Sequence, residues 1–249
     1  MFSRRSFALF TTMAGLAFAF ASHRRSLSSA SAVSSRRPGP FKKLAIIGDV
    51  HGCIDELDEL LAKLDDRQVV FVGDLVRKGP DSKRVVHRAI RIGALTVKGN
   101  HDFYALKDGK NKLDLSKEEL DYLRSAPALL RFPEHNVIVV HAGLLPSVKP
   151  ESQDPMDLMT MRNIDDAGKP TTSHKDGVPW VNQWTGPEHV VFGHDAKRGL
   201  QRGSLYTGLD TGCVYGGKLT ALLVPEMRLV HVDAHKEYKP RTTTAAAVS

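Results

Sequence analysis

Five short strings in the chain place carboxylate, imidazole and carboxamide side chains next to glycine. They are Gly48-Asp49-Val50-His51-Gly52, Gly73-Asp74-Leu75-Val76-Arg77-Lys78-Gly79, Gly99-Asn100-His101-Asp102, His141-Ala142-Gly143 and Gly193-His194-Asp195. Carboxylate, imidazole and amide oxygen together suit Mn, Fe or Zn, whereas calcium prefers oxygen alone and thiolate sites need cysteine. Two such ions ~3.5–4 Å apart can bridge a phosphoryl group and a nucleophilic water, and a shared carboxylate must then hold both. Asp74 stands between the other candidate ligands in chain order. A single Gly-Asp after an apolar run is commonly just a turn. Five such strings in order, each after a strand-like run, point to one metal centre, and their glycines let the backbone turn tightly beneath an ion.

The elements that must position these strings can be read from hydrophobic spacing. Short apolar runs at 42–47, 69–72 and 94–97 predict strands, each ending at one of the strings. Between them, Leu57, Leu60, Leu61 and Leu64 fall on one face of a predicted helix over 54–64. Pro80 opens a second helix over 81–92, with Val85, Val86, Ala89 and Ile90 as its apolar stripe. Ser116 and Glu119 form a capping box for a helix ending near residue 124. Runs at 137–140 and 190–192 predict further strands, and 219–224 with 229–232 predict a closing hairpin around Pro225-Glu226. Residues 144–179 form a Pro-, Asp- and Thr-rich insert with one short helix near 157–161. Strand-helix-strand alternation indicates an α/β domain with both faces of a central sheet covered. In such sheets functional groups collect beyond the carboxyl ends of the strands, which is where the five strings fall.

At these strings the chain resembles the metallophosphoesterases, and more narrowly the phosphoprotein-phosphatase superfamily. Its pattern is GDxHG, GDxxxRG, GNHE or GNHD, then HG or HAG, then a final GH. The likeness spans residues 44–232 and implies a calcineurin-like α-β-β-α sandwich. It implies a first metal site of Asp49, His51 and Asp74, and a second of Asp74, Asn100, His141 and His194. The implied cofactors are two divalent ions from among Mn, Fe, Zn and Co. His101 matches the general acid that protonates the leaving oxygen while metal-bound hydroxide attacks phosphorus in line.

Two departures narrow the resemblance. Protein phosphatases of this superfamily have Asp where Arg77 stands and Arg where Lys78 stands. The segments Gly199-Leu200-Gln201, Leu209-Asp210-Thr211-Gly212-Cys213 and Gly216-Gly217-Lys218-Leu219-Thr220-Ala221 also differ from that branch. Together they look like the ApaH-like phosphatases, relatives of the bacterial symmetrical diadenosine tetraphosphate hydrolases. The implied activity is hydrolysis of phosphoanhydrides or phosphomonoesters, with polyphosphate, diadenosine polyphosphate or another nucleotide as substrate. A protein serine/threonine phosphatase is the alternative, and Arg77 and Lys78 argue against it. A non-catalytic metal-binding scaffold would be expected to have lost a ligand, and none is missing. Lys78, Arg77 and Arg162 are the candidate substrate-binding cations. Asp102 and Asp210 are candidates to support the ligands, with a structural turn as the plainer role for each. Trp180 and Trp184 could stack on a nucleobase, although a paired core contact is the simpler reading. His23, His87, His135, His174, His189, His231 and His235 match no motif.

The 249 residues carry 35 Lys and Arg, 28 Asp and Glu and a formal charge of +7. Eight of those basic residues, and no acidic one, lie before residue 49, leaving 27 basic against 28 acidic residues in the remainder. The body therefore gives no electrostatic case for nucleic-acid binding. Residues 1–40 read as a leader: a basic start, an apolar run at 7–21, then a Ser- and Arg-rich stretch free of acid. Ala19-Phe20-Ala21 resembles a cleavage site and Ser3-Arg4-Arg5-Ser6-Phe7 a twin-arginine signal. Secretory or organellar delivery, plastid or mitochondrion included, is the expectation, with a cytoplasmic location if the leader is inert. Membrane contact is expected only through an uncleaved leader. The catalytic domain is assigned to 41–236 and a disordered tail to 237–249. Cys53 and Cys213 lack metal-motif spacing and read as buried free thiols.

Overall fold

The computed structural model describes residues 34–36, 38–107 and 110–240. The apolar run, its cleavage and twin-arginine readings and His23 lie outside the described residues. Two sheets stack to form the body. One runs in the order Arg228–Asp233, Lys218–Val224, Leu44–Ile47, Gln68–Phe71, Leu95–Thr96. Its last three strands are parallel and the first two form the antiparallel closing hairpin. The other runs Ser35–Arg36, Leu129–Phe132, Val137–Val140, His189–Phe192, Tyr206–Gly208, Gln201–Arg202.

The period-2 alternation of a strand explains the layering. Leu44, Ile46, Val70, Leu222 and Val224 point from the first sheet toward Phe132, Val137, Val139 and Val191 of the second, forming the inter-sheet core. Ile47, Phe71, Leu219 and Ala221 point the other way, into a core shared with the helices Ile54–Leu61, Ser82–Arg91 and Lys117–Ser125. Ile138, Val140, Val190 and Phe192 face outward from the second sheet against Leu158, Met161 and Trp180 of the insert. Hydrophobic spacing alone points to one central sheet; the two stacked sheets are those of the α-β-β-α sandwich that the resemblance implies. Hydrophobic spacing does not separate the two sheets, because strands buried on both faces read as continuous apolar runs whichever sheet they join.

The helices start where the sequence says they should. Asp81 caps Ser82–Arg91 by accepting from the Arg84 N–H at 2.9 Å. Ser116 and Glu119 complete the capping box of Lys117–Ser125. Asp154 caps the short insert helix Pro155–Thr160. A further helix, Asn100–Lys107, begins inside the third string itself. The insert also holds a small sheet ordered Pro170–Thr171, Asn163–Ile164, Val178–Pro179. No helix among the described residues is long and apolar enough to cross a membrane.

Backbone hydrogen bonds are made on both sides of the boundaries assigned to the domain. Ser35 and Arg36 pair with Leu129 and Leu130, and the Ala128 N–H donates to the Ser34 carbonyl at 2.9 Å. At the other end Tyr238 and Lys239 both donate backbone N–H groups to the Val214 carbonyl. A chain starting at Phe41 loses the edge strand but keeps all five strings. Its expected stability loss is about 1–2 kcal/mol, the net worth of two or three hydrogen bonds. For a domain this size that lowers the melting temperature by about 2–8 °C. Thermal unfolding of chains starting at 34 and at 41 checks this, and loss of cooperative unfolding in the shorter form would contradict it.

Candidate metal centre

Three of the strings leave one sheet and two leave the other, and all five meet where the strands end. Asp49 follows Leu44–Ile47, Asp74 follows Gln68–Phe71, and Asn100 and His101 follow Leu95–Thr96. His141 follows Val137–Val140 and His194 follows His189–Phe192. The seam is tied by the His194 N–H, which donates to the Asp49 carboxylate at 3.1–3.2 Å from its two oxygens. All six residues named as ligands, and His101, are brought together.

Asp74 occupies the middle. Its Oδ2 lies 3.5 Å from Nε2 of His51 and 3.4 Å from Nε2 of His141, one imidazole from each implied metal site. The far nitrogens of both rings are committed to backbone: Nδ1 of His51 to the Val76 carbonyl at 3.2 Å, Nδ1 of His141 to the Val72 carbonyl at 2.8 Å. These bonds orient the rings and leave Nε2 as the coordinating nitrogen in each. His194 is the reverse case, with Nε2 on the Thr160 carbonyl at 3.1 Å and Nδ1 facing inward. Asn100 Oδ1 sits 3.0 Å from Nε2 of His141 and 3.2 Å from Nδ1 of His194. Asp49, Asp74 and His141 each offer a ligand atom within 4.8 Å of the others, and so do His51, Asp74 and His101.

The backbone is strained to achieve this. Among the described residues eight that are not glycine have positive φ, and His51, Asp74, Arg77, Lys78 and His194 are five of them. Such left-handed conformations cluster where the surrounding structure over-determines them. Two glycines are required by close approach: a Cβ on Gly193 would strike Asp49 Oδ1, and one on Gly99 would strike Asp74 Oδ1. The strained turn at Asp74 is held by Asp102. Its carboxylate accepts from the N–H groups of Asp74 at 2.8 Å, Leu75 at 3.0 Å, Val76 at 3.3 Å and Gly99 at 3.1 Å. Asp102 thus fastens the second string to the third. It does not orient His101, whose Nδ1 is buried without a partner.

The calcineurin-like phosphoesterase family profile matches residues 42–230, most of the chain. The chain is a calcineurin-like phosphoesterase. It is similar to the asymmetrical bis(5'-nucleosyl)-tetraphosphatase PrpE of Oceanobacillus iheyensis, 30% identical over 79% of this chain and 94% of that protein. The enzyme of the same name from Halalkalibacterium halodurans is 31% identical over 77% of this chain and 94% of its own length. A crystal structure of a candidate diadenosine tetraphosphatase superposes with TM-score 0.77 and 40% identity, covering 81% of this chain and 98% of that one. A protein serine/threonine phosphatase of Saccharomyces cerevisiae shares the fold at TM-score 0.55 and 14% identity, over 82% of this chain and 84% of its own. The phosphoesterase is therefore a hydrolase, with the ApaH-like relatives its motifs indicate.

The donor set fits the divalent cations this family binds, because the buried carboxylates call for positive charge. Burial opposes a charge on His141, yet the carboxylates of Asp74 and Asp49 push it up to about 9. A proton there supplies the charge that a metal would bring. Burial also opposes the Asp74 carboxylate, but His141, His51 and His101 hold it well below the usual range. Asp49 is pushed up by burial and then by Asp210 and Asp74. His51 is lowered to about 3, by burial first and then by Lys78 and His101. Burial, with Lys78, Arg77 and His141, lowers His101 to about 4.

The three candidate substrate cations surround this floor. The Lys78 ammonium donates to His51 Nε2 at 2.9 Å and sits 5.3 Å from the Tyr215 ring centroid. Arg77 is exposed, its N–H donating to Ser82 Oγ at 2.8 Å and its charge acting on His101. Arg162 reaches in from the insert. Its Nη1 donates to the Thr172 carbonyl at 3.0 Å, its Nε is buried without a partner, and its charge depresses His194. That is not a solvated helix end. Trp180, 2% exposed, packs edge-on against Phe192 and Trp184 and donates Nε1 to the Ala142 carbonyl, so it is a core contact. Sequence reasoning missed Asp195 and its partners His174, at 2.7 Å, and Arg198, at 2.8 Å. Asp195 was visible in the fifth string, but nothing in the spacing announced the other two.

Replacing Asp102 tests the fastening. Asp102→Asn offers one acceptor oxygen where four N–H groups need two, leaving at least one pair opposed by an amide. The expected loss is about 2–5 kcal/mol of stability, with metal affinity weakened by tenfold or more. Urea unfolding and a metal titration measure both, and an unchanged variant would remove Asp102 from this role.

Proposed function

We propose that this phosphoesterase hydrolyses phosphoanhydride bonds in dinucleoside polyphosphates or similar polyanionic nucleotides, using two divalent cations. The observation that carries the two-site reading is Asp74 Oδ2, equidistant within 0.1 Å from one histidine of each ligand set, at 3.5 and 3.4 Å. Asp49, His51 and Asp74 would hold one ion, and Asp74, Asn100, His141 and His194 the other. Mixed oxygen and nitrogen donors suit Mn, Fe, Zn or Co. When bound, such ions supply Lewis acidity toward a phosphoryl group and an activated water.

The chain's own residues supply the rest. Lys78, Arg77 and Arg162 place positive charge on both walls of an acidic floor, which suits a row of phosphates better than one phosphoserine. His101 is positioned to pass a proton to the leaving oxygen. Its Nδ1 has no carboxylate partner, and Arg77 stands where protein phosphatases of this superfamily have the steering Asp. An alkoxide leaving group needs a well-oriented acid, whereas a phosphate or nucleotide oxyanion leaves with much less help. The names of the tetraphosphatase relatives support the same substrate class. The N-terminal run supports delivery to a secretory or organellar compartment.

Two experiments test this reading. Asp74→Asn is expected to lose metal and activity together. His101→Asn is expected to keep its metal and slow turnover by ~10²–10⁴-fold, the usual worth of a general acid. Metal analysis of both purified variants decides the roles, and metal loss in His101→Asn would make His101 a ligand. Separately, kcat/KM for diadenosine tetraphosphate should exceed that for a phosphoserine peptide. Lys78→Ala should reduce the former by roughly 1–3 kcal/mol of transition-state binding and the latter less. A phosphopeptide preference that Lys78→Ala leaves unchanged would return the protein to the protein-phosphatase branch.

A further inference from the structure

Behind the metal centre a second set of ligand groups meets inside the helix-side core. Cys53 stands at the start of helix Ile54–Leu61, Glu56 turns inward from that helix's first turn, and Cys213 lies in the loop before strand Lys218–Val224. The Sγ atoms of both cysteines and a carboxylate oxygen of Glu56 all lie within 4.8 Å of one another. All three residues are buried, at 0%, 0% and 1% exposure for Cys53, Glu56 and Cys213.

The two oxygens of Glu56 are treated very differently. Oε1 accepts from the His235 N–H at 2.8 Å and from the Tyr238 hydroxyl at 2.9 Å. Oε2 is buried and has no partner. A carboxylate oxygen taken out of water and left unpaired is costly, and a core with two free thiols beside it offers no strong donor. A cation held between the Glu56 carboxylate and the two sulfurs would supply the positive partner that this carboxylate lacks on its Oε2 side.

We propose that Cys53, Glu56 and Cys213 form a separate site for a thiophilic divalent cation of the zinc class. Metal–sulfur bonds of ~2.3 Å and metal–oxygen bonds of ~2.0 Å in a tetrahedron put ligand atoms roughly 3.5–3.8 Å apart, inside the observed spacing. On binding, each thiol releases its proton to solvent, so two thiolates and one carboxylate face one dication. The two hydrogen bonds to Oε1 carry part of the remaining negative charge. Three protein ligands leave the fourth position to a water. The ion would brace the helix that starts three residues after His51 against the loop that carries Asp210 and Cys213.

Sulfur makes the test specific. The chain has two cysteines, both in this cluster and both free, and the hydrolytic donors include none. The reduced full-length chain is titrated with Co2+ and followed by near-ultraviolet absorption. The expected result is sulfur-to-cobalt charge transfer that saturates at one equivalent, whatever else binds at the hydrolytic site. Cys53→Ser and Cys213→Ser should each bind one cobalt fewer per chain by metal analysis, with the band strongly reduced. Glu56→Gln should keep the band and bind at least tenfold more weakly, as loss of a charged ligand requires. Absence of the band in the unaltered chain overturns the proposal even if no variant folds. Full cobalt content in either cysteine variant also overturns it. So does a thiol assay on unreduced, denatured protein that finds no free thiol, because the pair would then be a disulfide.

Discussion

Everything at the centre of this molecule depends on one buried carboxylate. Asp74 is 1% exposed, and its Oδ2 lies between two imidazoles that belong to different sheets. An ionised carboxylate removed from water is unfavourable by many kcal/mol unless opposite charge or donors replace the solvent. Here the replacement is built on several levels. His101 donates its backbone N–H to Oδ1 at 2.8 Å, and His51 and His141 face Oδ2. Asp49, Asp102 and Asp210, none more than 5% exposed, crowd the same region with further negative charge. Burial, then Asp74, pushes Asp102 up to about 7, and burial is also the main cause that raises Asp210 to about 6. A site so overloaded with buried acid is a cation site by electrostatics alone, and bound ions then stabilise the fold by linkage.

The same carboxylate explains the backbone. To aim Asp74, His51 and His194 inward from strand ends, three residues adopt left-handed geometry without being glycine. Arg77 and Lys78 continue the distortion; the Arg77 side chain is exposed, and the Lys78 ammonium turns in to His51 Nε2 at 2.9 Å. The strain is offset by neighbours that cannot relax: strands buried on both faces below, the Asp102 staple behind, and the His194 N–H bond to Asp49 across the sheets. Protein interiors are close-packed and barely compressible, so the loops inherit the rigidity of the strands. This is why ligands from five places in the chain can meet within a few ångströms.

The chemistry was more legible in the sequence than the architecture. Ligand types beside glycine at strand ends are local signals, and each survives because the strand before it is a clean apolar run. The capping box and the closing hairpin are local too. The doubling of the sheet came only from the resemblance and was not legible in the hydrophobic spacing, because Val137-Ile138-Val139-Val140 shows no polar face to say which layer it joins. Nor were the two-residue strands of the insert, too short to carry any period. Asp102 was visible only as a candidate. Its four acceptor contacts join segments 25 residues apart, and no spacing rule encodes them. Lys78 against His51, and His174 against Asp195, are long-range pairings of the same kind.

The position of the cations, more than their number, carries the argument about substrate. The body as a whole is close to neutral, so long-range steering of a polyanion is weak. Selectivity must then come from short-range contacts, which depend on where Lys78, Arg77 and Arg162 stand. Two rise from the strained turn after Asp74, on the five-stranded sheet, and one descends from the insert that covers the six-stranded sheet. A single phosphate has one group to share among these cations. A chain of phosphates can meet both walls, and its binding grows with each unit that finds a charge. On the proposed reading, the substitution of Arg77 for a steering Asp then does two things at once. It withdraws orientation from His101, which an anhydride tolerates, and it adds a cation that only a polyanion rewards.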